Sequence, residues 1–415
     1  MMRLLVAAVA ALVLTPGAAA WTTLATGLQN TVIPSMIVTQ AGTELVSFES
    51  PAGGTISVSR DRAPPKVVVA GDPAANRTQL VQQPNGAIQL YFPNAQGVAR
   101  LTSTDDGQTW TGPVQTQSRQ AGPVMAATVA PDGTPYFAQD GTGFVNVFRG
   151  LNGDTMRNVF PRCCGYGESL AVDMAGLVQI AFFSNADPDG TFLHALLAAD
   201  LSVAGSTPLR PTAAFTDRVP LLADRSGFTY LSWAPGRPPT GVTVVPFRGG
   251  QPAGDGVHFP IALGDVIPHL ALAIDGRDRL WSIWTNDDRI SAARSRSHGE
   301  HFGAVVSSAL PGTANGLSAT ALPGEPGSLD VVVNTGSALI EQQLRPGLSV
   351  VVRTTKKKVV TRWAQALDDG IPVPSASFRI AGRTIHANAQ GRAKVPRGSG
   401  KAAAPGYAGA SFHVR

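Results

Sequence analysis

Short apolar segments alternate with polar turns along almost the whole chain. The apolar segments are rich in β-branched and aromatic residues, and the turns between them are rich in Gly, Asp and Asn. This pattern is typical of β-strands separated by tight turns. Four of the clearest apolar runs occupy residues 86–92, 177–183, 228–233 and 280–284. The pattern therefore predicts an all-β protein made of many short strands.

The strand pattern repeats with a spacing of about 45–50 residues. In each unit a short strand comes first, a turn follows, and further strands complete the unit. The units open at residues 33–36, 77–81, 123–126, 168–171, 219–222, 267–270 and 317–320. This spacing is the length of one propeller blade. We expect a β-propeller of seven blades over residues 21–350, with six blades as the alternative count and a β-sandwich as the competing architecture.

One turn stands out because its own side chains can close it. Starting at Ser103, the sequence reads S-x-D-x-G-x-T-W. Asp105 is placed to accept hydrogen bonds from backbone N–H groups of the turn, and Gly107 supplies a position with positive φ. Ser103 and Thr109 flank the turn, and Trp110 is expected to fill a small apolar pocket beneath it.

This motif resembles the Asp-box of the sialidase-like, or BNR-repeat, β-propellers. Weaker copies are found at residues 59–61, 153–155 and 295–302, at separations close to multiples of about 47 residues, which again is blade length. In that family the Asp-box lies at the blade periphery, away from the central site. The resemblance therefore implies an architecture and leaves the chemistry of the central site open.

Composition and the first residues point to an exported, turn-rich protein. Gly (45 residues) and Pro (32 residues) are frequent, and only 15% of the residues are charged, which disfavours long exposed helices. Arg3 precedes an apolar run over residues 4–14, and an Ala-x-Ala-like site ends at Ala20. This order is typical of a signal peptide, and the run is too short to span a membrane. We expect residues 1–20 to be removed and the protein to be secreted from a bacterium.

The charge is distributed unevenly along the chain. Residues 351–415 contain 12 Lys or Arg and 2 Asp or Glu, whereas the rest of the chain contains 21 and 26. The shift predicts a separate basic module at 351–415, preceded by a linker at 345–360. Its pattern resembles a small bacterial Ig-like or carboxypeptidase-regulatory-like β-sandwich. The segments that carry this resemblance are residues 368–378, 380–384, 388–393 and 405–407.

The positive charge of this module has two interpretations. It serves solubility, or it attracts the module to anionic polymers of a cell surface. Nucleic-acid binding is not expected, because no recognised motif is present and the basic residues are not interleaved with aromatic ones. The chain also contains no P-loop, no dinucleotide-binding fingerprint and no metal-ligand spacing among its seven His. We expect a monomer without a cofactor or a metal.

Propellers bind ligands at one end of the central channel, on the loops that enter the first strand of each blade. The most unusual of these loops contains Cys163, Cys164, Tyr166 and Glu168. Adjacent cysteines in an oxidising compartment can form a strained disulfide, because their Cα atoms lie only ~3.8 Å apart across a trans peptide. The alternatives are a structural clip and two reduced thiols. Tyr166 offers a face for stacking, and Glu168 offers a carboxylate.

Charged residues also precede the first strands of other units, namely Arg77, Asp217, Arg218 and His269. If they converge with Glu168, the channel end carries two guanidinium groups, two carboxylates and an imidazole. Such a group could bind an anionic sugar, because Arg pairs with carboxylates through two parallel hydrogen bonds. The structural alternative for each residue is a hydrogen bond or an ion pair between neighbouring blades.

The catalytic set of a sialidase is incomplete in this chain. The resemblance implies three Arg that hold the substrate carboxylate, a Tyr nucleophile paired with Glu, and an Asp acid/base. The family's Arg-Ile-Pro motif is absent, and no Arg lies between Trp21 and Ser59. We therefore expect a non-catalytic protein that binds a carbohydrate or another extracellular small molecule. The alternatives are an extracellular glycoside hydrolase that uses Glu168, Asp217 or Tyr166, and a structural cell-surface adhesin.

Overall fold

The computed structural model describes the chain from residue 20 to residue 415 with several short gaps. The gaps are residues 51–53, 72–76, 117–124, 142–143, 161–164, 185–190, 210–217, 237, 262–267, 287, 296–297, 325 and 357–359. In the described part, all regular elements are β-strands. None of the described residues belongs to a helix long and apolar enough to cross a membrane. The expectation of an all-β protein is confirmed.

The described strands before residue 345 form seven consecutive antiparallel sheets, which we number I to VII. Strand β1 (Thr22–Thr26) comes first in the chain. Sheet I contains β2 (Ser35–Val38), β3 (Glu44–Ser50), β4 (Thr55–Arg60) and β5 (Lys66–Ala70). Sheet II contains β6 (Gln79–Gln82), β7 (Ile88–Asn94), β8 (Gly97–Ser103) and β9 (Thr111–Gln115). Sheet III contains β10 (Met125–Val129), β11 (Pro135–Gly141), β12 (Phe144–Arg149) and β13 (Thr155–Phe160).

The remaining sheets of this region repeat the same order. Sheet IV contains β14 (Gly165–Val172), β15 (Val178–Ser184), β16 (Thr191–Leu197) and β17 (Val203–Leu209). Sheet V contains β18 (Leu221–Ala223), β19 (Phe228–Trp233), β20 (Gly241–Arg248), β21 (Gln251–Pro252) and β22 (Val257–Pro260). Sheet VI contains β23 (Leu270–Ile274), β24 (Leu280–Asn286), β25 (Arg289–Arg294) and β26 (Val306–Ala309). Sheet VII contains β27 (Gly316–Ala321), β28 (Leu329–Asn334) and β29 (Ala338–Leu344), with β1 as its fourth strand.

The seven sheets form a closed ring. The first strand of each sheet packs beside the first strand of the next, and β27 packs beside β2. The ring is completed by β1, which pairs with β29 through residues such as Thr22 and Glu341. Each opening segment predicted from the sequence overlaps the first strand of one sheet. This arrangement is that of a β-propeller.

The core consists of separate apolar layers between neighbouring sheets. In the described residues, each of the seven sheet pairs around the ring has its own buried cluster. A sheet with a neighbour on each side buries both faces of its inner strands, and β7, β15 and β28 are buried along their whole length. Their sequences are therefore mostly apolar on both faces rather than strictly alternating. Each buried Leu, Val or Phe contributes about 1.5–3 kcal/mol, so these layers supply most of the stability.

The turn that begins at Ser103 has the predicted geometry. Oδ1 of Asp105 accepts a hydrogen bond from the backbone N–H of Thr109 at 2.9 Å and from the Ser103 hydroxyl at 2.8 Å. The Thr109 hydroxyl donates to Oδ2 of Asp105 at 2.5 Å. Gly107 has a φ of 81°, and its N–H donates to Oγ of Ser103 at 2.9 Å. The hydrogen bonds from Thr109, followed by that from Ser103, lower the pKa of Asp105 to about 2.

The same turn joins sheet II to sheet I. The Asp106 carboxylate accepts a hydrogen bond from the Thr43 hydroxyl and forms an ion pair with Arg60. Trp110 packs against the apolar cluster between these two sheets, which is the role predicted for it. The described residues of the three weaker copies also fall where the third strand of a sheet is followed by the fourth. The motif therefore holds neighbouring sheets together at the periphery.

The chain after residue 345 forms two further sheets around one shared core. Its strands are β30 (Ser349–Lys356), β31 (Val360–Asp368), β32 (Ile371–Pro372), β33 (Ser377–Ile380), β34 (Arg383–His386), β35 (Arg392–Lys394), β36 (Gly398–Ala403) and β37 (Ala410–Val414). Strands β30, β31, β32 and β35 form one sheet, and the other four form the second. The predicted linker at 345–360 is wrong, because β30 lies within it and pairs with β31 along its length.

This C-terminal unit is docked on sheets VI and VII. Arg294, at the end of β25, forms an ion pair with Asp368, and the Tyr407 hydroxyl donates to the same carboxylate at 3.0 Å. The Arg294 side chain is only 3% exposed. Burial lowers the pKa of Arg294, and the adjacent Asp368 partly offsets that effect.

Candidate functional site

The first strands of all sheets begin at one end of the ring. A parallel bridge joins Ile33, before β2, to Arg77, before β6, so these two strands start side by side and run the same way. The sheets repeat one antiparallel order around a closed ring, which places the other first-strand starts at the same end. We call this the entry end, defined by the residues that begin the seven first strands. It is where the sequence predicts a ligand.

The most irregular first strand is β14. Its pairing with β15 shifts register between Tyr166 and Ser169, so that two residues, Gly167 and Glu168, face the single residue Phe182. This is a β-bulge, and Gly167 within it has a φ of 66°. Among the described pairs of first and second strands in the seven sheets, no other shifts register. The bulge lies within the segment that the sequence singled out, at its end with Glu168.

Glu168 lies on this bulge, and Arg218 lies beside it. The Glu168 side chain is fully buried. Arg218 is half-buried, and its Nε donates to Oγ of Ser169 at 3.2 Å. The backbone N–H of Val219 donates to the carbonyl of Gly167 at 2.8 Å. Sheets IV and V are thus joined at the entry end through the bulge, and this contact brings two of the predicted residues to one place.

His269 and Arg77 are also at the entry end, but both are buried. Nε2 of His269 lies 2.9 Å from the carbonyl oxygen of Ala314, so this nitrogen carries the hydrogen and links sheet VI to the start of sheet VII. Arg77 is 1% exposed at the joint between sheets I and II. Direct ligand contact was predicted for Arg77, Glu168 and His269. The contact of His269 with Ala314 fits the alternative role, a hydrogen bond between neighbouring sheets. Ligand contact by Arg77 and Glu168 stays a prediction.

The remaining predicted residues cannot be placed in the same detail. Cys163, Cys164 and Asp217 fall outside the described residues. Tyr166 belongs to β14, but its side chain is also outside the described part. The disulfide, the catalytic candidates Asp217 and Tyr166, and the ligand contacts of this loop therefore stay predictions.

One polar cluster was not predicted at all. Glu44, Asp330 and Glu341 lie together at the joint between sheets I and VII, with Arg62 beside them. Burial, followed by the neighbouring carboxyls, raises the pKa of Glu44 to about 9. Burial also raises the pKa of Glu341. Burial alone would lower the pKa of Arg62, but the carboxylates raise it. The cluster could have been suspected from the sequence, because Asp330 and Glu341 each lie within a mostly apolar strand. Acidic residues at such positions are rarely buried without a partner.

Comparison with known proteins identifies the fold. No protein-family model and no curated protein sequence matches the chain. Among solved structures, a streptogramin B lyase matches with a TM-score of 0.52 and 14% identity, over 78% of this chain and 96% of that one. An inactive variant of virginiamycin B lyase from Staphylococcus aureus, solved with quinupristin, matches with a TM-score of 0.50 and 12% identity, over 78% and 99%. An α-L-arabinanase from Penicillium chrysogenum, solved with arabinobiose, has a TM-score of 0.46 and 11% identity, over 79% and 98%.

The ring of sheets and the first two of these structures agree on the class of protein. The chain is a β-propeller protein with a further β-structured unit at its C-terminus. At this level of identity the likeness concerns the fold alone, so function has to be argued from the entry end.

Proposed function

We propose that this chain is a secreted, seven-bladed, sialidase-like β-propeller that binds a carbohydrate or another extracellular small molecule at the entry end. Each of sheets I to VII is one blade, and residues 351–415 form the core of an Ig-like β-sandwich module. The observation that carries the proposal is the bulge at Gly167 and Glu168 beside the half-buried Arg218.

The bulge gives the entry end a feature that ring closure does not require. In the described residues, the other six first strands pair regularly with their second strands, so the propeller can be built without a bulge. Bulges redirect side chains and are frequent beside binding sites. Here the bulge follows the Cys163 and Cys164 loop and lies against Arg218, whose planar guanidinium suits a sugar carboxylate or hydroxyl pair.

Binding fits the chain better than sialidase catalysis. The Asp-box has a structural role, because Asp105 accepts hydrogen bonds within the turn and Asp106 accepts one from Thr43 in sheet I. Arg77 and Glu168 are buried, and the arginine that the family places near the first blade is missing. We further propose that the protein is secreted. Its basic C-terminal module would then be attracted to an anionic polymer of a cell surface.

An enzyme that acts on an extracellular substrate is the second candidate. Two solved structures of this fold with TM-scores of 0.52 and 0.50 are lyases, so the scaffold supports chemistry. Glu168, Asp217 and Tyr166 would be the acid, base or nucleophile candidates. This candidate predicts product release from a glycoside panel, and Glu168→Gln should abolish it.

The deciding experiment is a glycan-binding screen with the intact chain. Wild-type protein is expected to bind a defined subset of glycans, and Arg218→Gln is expected to lose about tenfold or more in affinity because a charge-assisted contact is removed. The matched control is Arg248→Gln, on sheet V at the end of β20, away from the entry end. A blank screen, or equal binding by Arg218→Gln and wild type, would overturn the proposal.

A further inference from the structure

Three carboxyl groups meet where the ring closes. Glu44 begins β3 of sheet I, Asp330 lies near the start of β28, and Glu341 lies in β29. Second strands begin where first strands end, so Glu44 and Asp330 lie at the end of the ring opposite to the entry end. The side chain of Glu44 is 10% exposed, that of Asp330 is 2% exposed, and that of Glu341 is 0% exposed. We call these three residues the seam carboxylates.

The seam carboxylates have one basic neighbour among the described residues. Nε of Arg62 lies 2.5 Å from Oε1 of Glu341, and its Nη2 lies 3.1 Å from Oδ1 of Asp330. The distance from Nη2 to Oε2 of Glu44 is longer, at 3.8 Å. One guanidinium cannot balance three ionised carboxylates, so the cluster retains two negative charges when all three are ionised. Burying such charge without compensation is costly.

Three carboxyl oxygens in the cluster, one from each residue, lack a hydrogen-bond donor. Oε1 of Glu44, Oδ1 of Asp330 and Oε2 of Glu341 are buried, and no N–H or O–H group of the described residues makes a hydrogen bond to them, although Nη2 of Arg62 lies 3.1 Å from Oδ1 of Asp330. The carboxyls instead face one another, which is why their proximity adds to the effect of burial on the pKa of Glu44. A shared proton can relieve this repulsion in part, and a bound divalent cation can relieve more of it.

We propose that the seam carboxylates are a binding site for a hard divalent cation, and that Ca²⁺ is the ion that fits. One oxygen from each residue lies within 4.8 Å of the others. Oxygens around one Ca²⁺ are separated by at most roughly 4.6–5.2 Å, so a single ion can contact all three residues, whereas Mg²⁺ usually keeps several of its waters and is rarely held by protein ligands alone. The donors are all carboxylate oxygens, which Ca²⁺ prefers, whereas Zn²⁺ sites use mainly Cys and His.

Without a bound cation, Arg62 supplies the positive charge beside the seam carboxylates. It lies on the turn after β4 with a φ of 62°, and its side chain is 40% exposed. The guanidinium can therefore leave toward solvent without unfolding a strand. Ca²⁺ and Arg62 compete for the same carboxylates, because both supply positive charge to the same oxygens. Cation binding would then connect sheets I and VII more strongly than the ion pairs of Arg62 do.

The test is a Ca²⁺ titration of the intact chain after treatment with a chelator. Calorimetry is expected to give one Ca²⁺ per chain, and Tm should rise with Ca²⁺ concentration above Kd. Asp330→Asn and Glu44→Gln should weaken binding by about tenfold or more, because affinity follows the number of charged ligands. Arg62→Gln should strengthen binding, because it removes the competitor. Glu49→Gln, on the same strand as Glu44, is the matched control and should leave the affinity unchanged.

Two results would overturn the proposal. One is the absence of both heat and a Tm shift up to ~10 mM Ca²⁺, well above the Kd of extracellular Ca²⁺ modules, in wild type and in Arg62→Gln. The other is equal Ca²⁺ affinity in wild type and Glu44→Gln, which would place the ion elsewhere. If a carboxylate variant fails to fold, the comparison of wild type with Arg62→Gln still decides. The outcome is independent of the proposed ligand at the entry end.

Discussion

Arg62 and Glu341 are 279 residues apart in the chain, yet Nε of Arg62 lies 2.5 Å from Oε1 of Glu341. The pair crosses the joint at which β1 completes sheet VII and sheet VII meets sheet I. A closed ring depends on this joint, because both ends of the propeller sequence meet there. Apolar packing of Phe48 and Val332 and the ionic contacts of Arg62 hold it together.

Loss of Arg62 should therefore weaken the fold. Breaking a buried ion pair costs roughly 3–5 kcal/mol, and the partial exposure of Arg62 places the expected cost of Arg62→Ala at about 1–3 kcal/mol. Urea denaturation in the presence of a chelator measures this change in the free energy of unfolding. Arg225→Ala, on an exposed turn of sheet V, serves as the control and should stay within about 0.5 kcal/mol of wild type. Equal stability of the two variants would contradict the role given to Arg62.

The Asp-box turn offers a second test, based on two glycines. A Cβ at Gly107 would lie 2.7 Å from Cδ2 of Leu45 in sheet I, whereas a Cβ at Gly86 would have no neighbour within 4 Å. Both glycines have positive φ, at 81° and 87°, so alanine strains the backbone similarly at each. Gly107→Ala should cost about 1–3 kcal/mol more than Gly86→Ala, because the added methyl group also has to displace the buried Leu45 side chain of sheet I. Similar losses in denaturant unfolding would mean that the turn does not press on sheet I.

These local features could be predicted from the sequence because they depend on nearby residues. Turn glycines, the side chains of the Asp-box and the apolar inner strands are all encoded within a few residues, and the repeat reveals the first strands. The strand β30 was missed because residues such as Arg353 and Thr354 are polar and exposed, as in a linker.

The distant contacts could not be predicted from the sequence. Pairing of β1 with β29 and the meeting of Glu44 with Glu341 depend on how the ring closes. Local patterns contain no information on that closure. The burial of Arg77 and Glu168 depends in the same way on the neighbouring sheet.

Glu49 makes stability depend on pH. Burial raises the pKa of Glu49 from 4.5 to about 7. The folded state therefore binds the proton more tightly than the unfolded state, and ionised Glu49 destabilises the fold above about pH 7. This penalty disappears as the pH falls from about 7 to 4.5. Glu49→Gln should thus gain stability relative to wild type between pH 5 and pH 8, by on the order of 1 kcal/mol after allowance for its partial exposure.

Unfolding curves of wild type and Glu49→Gln at pH 5 and pH 8 measure this difference. Glu300→Gln, at an exposed position, is the control and should show the same difference from wild type at both values. A difference that is independent of pH for Glu49→Gln would show that the carboxyl titrates normally.

The substitution Asp368→Asn should weaken the contact between the C-terminal unit and the ring of sheets. Arg294 is 3% exposed, and removal of its carboxylate partner leaves a buried charge whose other hydrogen bonds go to the neutral backbone carbonyls of Pro326 and Gly327. Asp368→Asn should therefore destabilise the contact by roughly 3–5 kcal/mol, whereas Tyr407→Phe removes one hydrogen bond and should cost only about 0.5–1.5 kcal/mol. Limited proteolysis between the ring and the C-terminal unit, compared among the three proteins, measures the opening. Equal protection of Asp368→Asn and wild type would contradict this account of the contact.

The central claim is that the bulge at Gly167 shapes a ligand site at the entry end. Gly167 has a φ of 66°, which alanine adopts only with strain, so Gly167→Ala should distort the bulge while the seam at Arg62 is unaffected. The most direct measurement is the glycan-binding profile of Gly167→Ala beside that of wild type and Gly86→Ala. The account predicts binding by wild type and Gly86→Ala and its loss in Gly167→Ala. Unchanged binding by a folded Gly167→Ala protein would contradict it.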